Sequence, residues 1–199
     1  RPVANDNLSA VTVTEDSPGN LTLSATDIDT GDNLTYFQAS SPQFGNITIF
    51  DNATGYFTFA PFDNLSGGAS YTDNLTFYVR DNSSASNNQS NNATITFIVT
   101  GVNDRPVAND NLSAFTVTED SLGNLTLSAT DIDIGDNLTY EVLIQPSHGT
   151  VSISGDQILF TPNDNLSAIS YSDSFVFEVS DSENATDNAT IMLTVTGVN

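Results

Sequence analysis

Apolar residues in this chain recur at every second position over short runs. Leu21, Leu23 and Ala25 alternate with Asn20, Thr22 and Ser24. Leu75, Phe77 and Val79 alternate with Asn74, Thr76 and Tyr78, and Ala93, Ile95, Phe97 and Val99 alternate with polar partners. Alternation of this kind, in segments rich in Val, Ile, Thr and Phe, predicts half-buried antiparallel strands, because successive side chains of a strand point to opposite faces. No stretch shows the helical period. In the first half of the chain, strands are expected near 10–15, 20–26, 33–39, 45–50, 55–60, 74–80 and 92–100. Seven short strands in about a hundred residues predict an all-β Greek-key β-sandwich.

The pattern occurs twice. Residues 1–36 return at 105–140 with three changes, Val11 to Phe115, Pro18 to Leu122 and Thr30 to Ile134, and TGVN closes both copies at 100–103 and 196–199. Two tandem sandwiches are therefore expected, 1–103 and 104–199, cut from a repeating array. The offset between copies falls from 104 at Tyr36/Tyr140 to 101 at Asp63/Asp164, 100 at Asp81/Asp181 and 96 at Asn103/Asn199. Length is thus lost between the fourth and fifth strands, before Tyr71, and in the polar stretch DNSSASNNQSNN, which reads as a solvated loop. The connection VNDRP has no spare residues, so a short, stiff joint is expected.

Composition narrows the function. The chain has 25 Asp and Glu against 3 Arg and no Lys, a formal charge of −22. Such a surface repels nucleic acid and anionic membranes and attracts divalent cations. With 38% apolar residues, 12 Phe and 6 Tyr, the charge does not imply disorder. Cysteine is absent, so no disulfide staples the sandwiches, and oxygen-ligated metal is the other common staple of such modules. No apolar run is long enough to insert in a membrane. Since the segment begins inside an array, targeting signals are expected elsewhere in a parent chain.

Four acidic elements occur in both copies: Glu15–Asp16 and Glu119–Asp120; Asp27, Asp29, Asp32 and Asp131, Asp133, Asp136; Asp81 and Asp181; and the junction Asn103–Asp104. Asp-Ile-Asp, read as extended chain, puts two carboxylates on one face with a buried Ile between them. Ca²⁺ takes six to eight oxygen ligands, so grouped carboxylates fit it. Two of them ~5 Å apart repel by roughly 3 kcal/mol at an effective dielectric of about 20, a cost that a bound cation removes. Turn preferences alone account for any single Asp; four elements recurring together point to a metal site.

These residues carry a resemblance. ATDIDTGDNLTY resembles the A-x-D-x-D-x-G-x-N-x-x-x-Y segment of cadherin repeats, GVNDRP resembles their D-x-N-D-x-x-P linker, and FYVRD and FEVSD resemble the strand ending in a calcium-binding Asp. The pattern PSHGTV, LFTP, DSFVFEVSD over 146–181 is similar to that of the cadherin-like tandem repeats of large bacterial and archaeal surface adhesins. The resemblance covers both copies and implies sandwiches of cadherin or immunoglobulin type. It implies calcium at the joint held by Glu15, Asp16, Asn103, Asp104, Asp131, Asp133 and Asp181, with Asp27, Asp29 and Asp81 as the equivalent set of the first copy. The D-R-E motif that supplies two more ligands in typical cadherins is absent, so about one or two ions per joint are expected.

Sequons form a second constellation. Asn-x-Ser/Thr starts at Asn7, Asn20, Asn33, Asn46, Asn52, Asn64, Asn74, Asn82, Asn88, Asn92, Asn111, Asn124, Asn137, Asn165, Asn184 and Asn188. These are 16 sites where 23 Asn and 48 Ser plus Thr would give roughly five or six by chance. In many of them an apolar residue fills x and would point inward, leaving Asn and Ser or Thr facing water, where N-linked glycans attach. The same residues also suit the outer face of a strand in a chain without Lys.

Nothing here gathers a catalytic site. The chain has one His and no Lys or Cys nucleophile, and His148 stands where the first copy has Phe44, so it reads as a turn residue beside Gly149. The expectation is a non-enzymatic extracellular repeat of a surface stalk, adhesin or filament, partnered by neighbouring repeats and identical chains, stiffened by Ca²⁺ and N-glycosylated. A carbohydrate- or protein-binding adhesion module is the alternative, set lower because no exposed aromatic platform is expected. Spacer repeats in a secreted enzyme come third.

Overall fold

The computed structural model describes residues 1–6, 9–84, 86–110 and 114–198. The chain divides into two compact units, Arg1–Val102 and Asn103–Asn199. Among the described residues there is no helix, hence none long and apolar enough to cross a membrane.

The first unit contains β1 (Val3–Ala4), β2 (Val11–Thr14), β3 (Gly19–Thr22), β4 (Ala25–Thr26), β5 (Thr35–Gln38), β6 (Gly45–Phe50), β7 (Tyr56–Pro61), β8 (Ser70–Arg80) and β9 (Ala93–Thr100). They form a four-stranded sheet β2-β9-β8-β5, a three-stranded sheet β3-β7-β6 and the small ladder β1-β4. All pairings are antiparallel except β2 with β9. The second unit repeats this plan with β10 (Val107–Ala108), β11 (Phe115–Thr118), β12 (Gly123–Thr126), β13 (Ala129–Thr130), β14 (Thr139–Ile144), β15 (Gly149–Ser154), β16 (Gln157–Pro162), β17 (Ser170–Ser180) and β18 (Thr186–Thr196). Its sheets run β11-β18-β17-β14, β12-β16-β15 and β10-β13.

Each sandwich is closed by the inward residues of its alternating strands. In the first unit Leu75, Phe77 and Val79 of β8 and Phe97 and Val99 of β9 are fully buried against Phe57 and Phe59 of β7. The Phe59 and Phe97 rings stack across the two sheets at 4.4 Å. In the second unit Phe160, Phe175, Phe177, Ile191 and Leu193 take those places. Each such side chain stabilises by about 1.5–3 kcal/mol on burial, the main favourable term for a domain this small.

Four details differ from the sequence reading. The run expected at 20–26 breaks into β3 and β4, because the chain changes partners at Leu23–Ser24: Leu23 N–H donates to Gly55 O at 2.9 Å, and Asn5 N–H to Ser24 O at 3.0 Å. The short edge strand β1 carries only two residues, too few for alternation to show. The polar loop at 81–92 is tied rather than wholly solvated, since buried Ser90 accepts from Val79 N–H at 2.9 Å. Finally, an aromatic pair does face outward: Phe37 of β5 stacks on Tyr78 of β8 with centroids 5.1 Å apart.

Candidate metal centre

The ATDID segments leave their strands as turns. Asp29 N–H donates to Asp27 Oδ1 at 2.9 Å, and Asp133 N–H to Asp131 Oδ1 at 2.9 Å, the local bond by which Asp draws the chain out of a ladder. This overturns the expectation of a buried Ile between the carboxylates. Ile28 is 85% exposed and Ile132 47%, because strand alternation does not apply inside a turn. Gly31 and Gly135 follow at φ 103° and 93°, a backbone that a side chain would strain, and bend the chain so that Asp32 and Asp136 turn back towards the first aspartate.

In the second unit the ligand oxygens of Asp131, Asp133 and Asp136 lie within 4.8 Å of one another, as do those of Asp136, Asp181 and Glu183. Asp181 stands where β17 ends, 5% exposed, and its Oδ1 accepts from Glu183 N–H at 2.9 Å and Ala185 N–H at 2.8 Å. Asn103 Nδ2 donates to Asp181 Oδ2 at 2.9 Å, and Asp104 N–H to Asp133 Oδ2 at 2.9 Å. Five of the expected ligands, Asn103, Asp104, Asp131, Asp133 and Asp181, therefore converge within this unit. Asn103, Asp104 and Asp131 also line an open depression with Ala185.

The first unit repeats part of the arrangement. Ligand oxygens of Asp27, Asp32 and Asp81 lie within 4.8 Å of one another, and the Asp27 side chain is 5% exposed. Asp29 points outward at 69% exposure. Hydrogen bonds from Ser83, side chain first, outweigh desolvation and hold the Asp81 carboxyl below the ordinary Asp value. Glu15 is 3% exposed and accepts from Leu65 N–H at 2.9 Å and from Val102 N–H, whereas Asp16 lies exposed in the turn after β2.

Do these groups fit a cation? Asn103 Oδ1, Asp131 Oδ2 and Asp136 Oδ2 in the second unit, and Asp27 Oδ2 in the first, are buried oxygens with no hydrogen-bond donor. Buried acceptors are nearly always satisfied, and an orphaned carboxylate oxygen facing others is costly. The donor set is all oxygen, the chemistry of Ca²⁺ or Mg²⁺ rather than of zinc. The Glu183 carboxyl is pushed above the ordinary Glu value, first by desolvation and then by the charges of Asp136, Asp181 and Asp131. That is the field a divalent ion would relieve.

The ligand set implied by the cadherin resemblance leaves out Asp32, Asp136 and Glu183, although the recurring acidic elements include the first two. The signal for Asp32 and Asp136 was GDN, an acid placed directly after the bend glycine. Glu183 was signalled only by its place two residues beyond Asp181.

Of the sequon asparagines, Asn7 and Asn111 lie outside the described residues. Asn20, Asn33, Asn46, Asn52, Asn74, Asn82, Asn92, Asn124, Asn137, Asn165, Asn184 and Asn188 are exposed, and Asn64 and Asn88 half-buried. The apolar x residue points inward at Leu65, Leu75, Ala93 and Ala189, but Ala53 of the Asn52 sequon is exposed in a turn. Asn52 Nδ2 donates to Tyr36 O at 2.7 Å and Asn88 Nδ2 to Ser83 O at 3.3 Å, so these two amides serve the fold. His148 sits in the turn before Gly149 with Nδ1 3.0 Å from Asp173 Oδ2.

Residues 1–97 and 103–194 match the family profile of the bacterial Ig domain, and the chain belongs to that family as two repeats. No curated protein matches it. Among solved structures it is similar to human CDH23 EC21-23, with 21% identity, 100% of this chain and 69% of that chain covered, and a TM-score of 0.59. It is also similar to mouse cadherin-23 EC22-24, with 18% identity, coverage of 99% and 66%, and a TM-score of 0.53. PcdhgB3 EC1-4 gives 16% identity, coverage of 100% and 50%, and a TM-score of 0.59. At these identities the likeness is one of fold: tandem cadherin-like, immunoglobulin-like β-sandwiches.

Proposed function

We propose that this pair of bacterial Ig repeats is a non-catalytic structural segment of an extracellular stalk, adhesin or filament, stiffened by calcium at the joint between repeats and N-glycosylated on outward strand positions. The observation that carries the calcium reading is the set of buried carboxylate and amide oxygens without donors at Asn103, Asp131 and Asp136, beside the Asp181 strand end. Those residues, with Asp104, Asp133 and Glu183, would hold the ion. Bound there, it would supply charge neutralisation and a crosslink between two loops and the segment at 103–104. Glu15 and Asp16 enter as ligands from the cadherin resemblance.

Melting the chain in calcium and in chelator tests this. Calcium should stabilise by about 2.7 kcal/mol when free metal is a hundred times its Kd. Asp131→Asn with Asp133→Asn should abolish the difference, and Asp156→Asn, on the β15–β16 turn, should keep it. Identical melting curves in both conditions would end the reading. Proton competition gives a second check. Desolvation and the neighbouring carboxylates hold Glu183 above the ordinary Glu value, so without metal its contribution favours folding below the ordinary value and is lost as pH rises through the raised one. Calcium binding should accordingly weaken on acidification from above the ordinary Glu range.

A further inference from the structure

The outward faces of the two four-stranded sheets hold opposite chemistry at equivalent positions. In the first repeat Phe37 and Tyr78 are direct cross-strand partners, stacked with an interplanar angle of 13°. The Arg80 guanidinium lies 5.6 Å and 5.5 Å from their ring centroids. Gln89 Oε1 accepts from Arg80 Nε at 3.2 Å and Nη2 at 2.9 Å. Two rings and a neutral amide therefore fix the guanidinium, and the charge pairs among the described residues involve Arg1 and His148, not Arg80. The rings cover one another's faces, so they offer edges rather than a flat platform for a sugar.

In the second repeat the equivalents of Phe37 and Tyr78 are Glu141 and Glu178, again direct partners. Like charges directly opposite on a ladder are unfavourable. The same outward face exposes Ile144 at 59% and Met192 at 52%.

We propose that the Phe37–Tyr78–Arg80 face of one copy docks on the Glu141–Glu178 face of a second copy. Charge complementarity commits the partner. In a chain with 3 Arg and a charge of −22, Arg80 is a cation held rigidly on an apolar sheet face, and the paired glutamates are the matching anion on a sheet face with apolar neighbours. Arg80 would bridge the two carboxylates and relieve their repulsion while the aromatic edges meet Ile144 and Met192. Overall like charge keeps copies apart at long range, so the contact is short-range and needs physiological screening. It joins unlike faces, so a pair joined by one such contact keeps a donor face and an acceptor face for further copies, the condition for open assembly.

Sedimentation velocity on the 199-residue chain at about 0.15 M salt, with chelator to exclude calcium bridging, tests the proposal. Concentration-dependent association is expected. Arg80→Glu should weaken it at least about tenfold, and Glu141→Arg with Glu178→Arg should do likewise. An equimolar mixture of the two variants should associate again, because each then offers the other complementary faces. Circular dichroism and melting of each variant establish that it is folded, and Arg80→Gln gives a neutral substitute if the charge reversal fails to fold. A wild-type chain that stays monomeric into the millimolar range overturns the proposal. So does association that Arg80 substitutions leave unchanged, or a mixture of folded variants that does not associate.

Discussion

The two repeats build the same core with a ring moved across a ladder. In the first, Val11 of β2 lies directly opposite Phe97 of β9, and the Phe97 ring stacks on Phe59. In the second, Phe115 of β11 lies opposite Leu193 of β18, and the Phe115 ring meets Phe160 edge-on at 6.2 Å. One of only three changes in a 36-residue duplicated block is thus compensated by its cross-strand neighbour, 78 positions later in the chain. Parallel pairing of an edge strand to the last strand makes the exchange possible, since both side chains enter the same layer. Close-packed interiors tolerate a change of shape when local volume is kept.

The β8–β9 and β17–β18 connections differ in another way. In the second repeat the ladder runs on to Ser180–Thr186, closed by a turn in which Asn184 has φ 70°. In the first it stops at Phe77–Ala93, and Ser90 and Gln89 of the longer loop bond to Val79 and Arg80 instead. Backbone groups buried at the strand end must be satisfied in either case, by ladder or by loop. The longer loop also holds Arg80, which the second repeat replaces with Ser180.

The strongest test of equivalence between the repeats concerns a buried carboxylate that both share. Asp73 accepts from Gln43 and Phe44 N–H at 2.7–2.9 Å, and Asp173 from Ser147 and His148 N–H at 2.7–3.1 Å. Asp73→Ala or Asp173→Ala leaves these donors unsatisfied and should cost about 3 kcal/mol in the repeat that carries it. Hydrogen exchange should show protection lost there and kept in the other. Burial raises the Asp173 carboxyl, but bonds from Ser147, His148 and Ser174 outweigh it and hold it below the ordinary 3.8. Its stabilising contribution is therefore present above that range and lost as pH falls through the depressed value. Asp173→Asn should remove this part of the acid unfolding of the second repeat, and an unchanged acid limb would contradict it.

A smaller effect is expected from the exchanged ring. Phe115→Val should destabilise the second repeat by about 2 kcal/mol, and Leu193→Phe by roughly 1–2 kcal/mol, while the double variant recovers most of the loss. Denaturant unfolding of the four chains gives the coupling, and simple additivity would show that the two positions do not share one volume. The smallest effect belongs to His148→Phe. His148 packs on Tyr171 at 4.6 Å as Phe44 packs on Tyr71 at 4.9 Å. The substitution should cost about 1 kcal/mol in thermal melting, because the ring contact is kept while the Nδ1 bond to Asp173 Oδ2 is lost.

Alternation alone announced two all-β sandwiches and named Leu75, Phe77, Val79, Phe97 and Val99 as core, since period two is a property of the strand itself. The recurring acids grouped Asp131, Asp133 and Asp181 as candidate ligands from the sequence pattern. What the sequence could not contain was partner choice. The break between β3 and β4 follows from a change of neighbour at Leu23. Exposure of Ile28 follows from an Asx turn that competes with the strand, and the buried Glu15 is held by Leu65 N–H, 50 residues away. The nearness of Asp136 and Glu183 to Asp181 depends on two loops arriving at one strand end. So does the outward stack of Phe37 and Tyr78, which depends on the register of β5 against β8. Local pattern determines which way a side chain points relative to its own strand; only the packed sheets decide what stands opposite it.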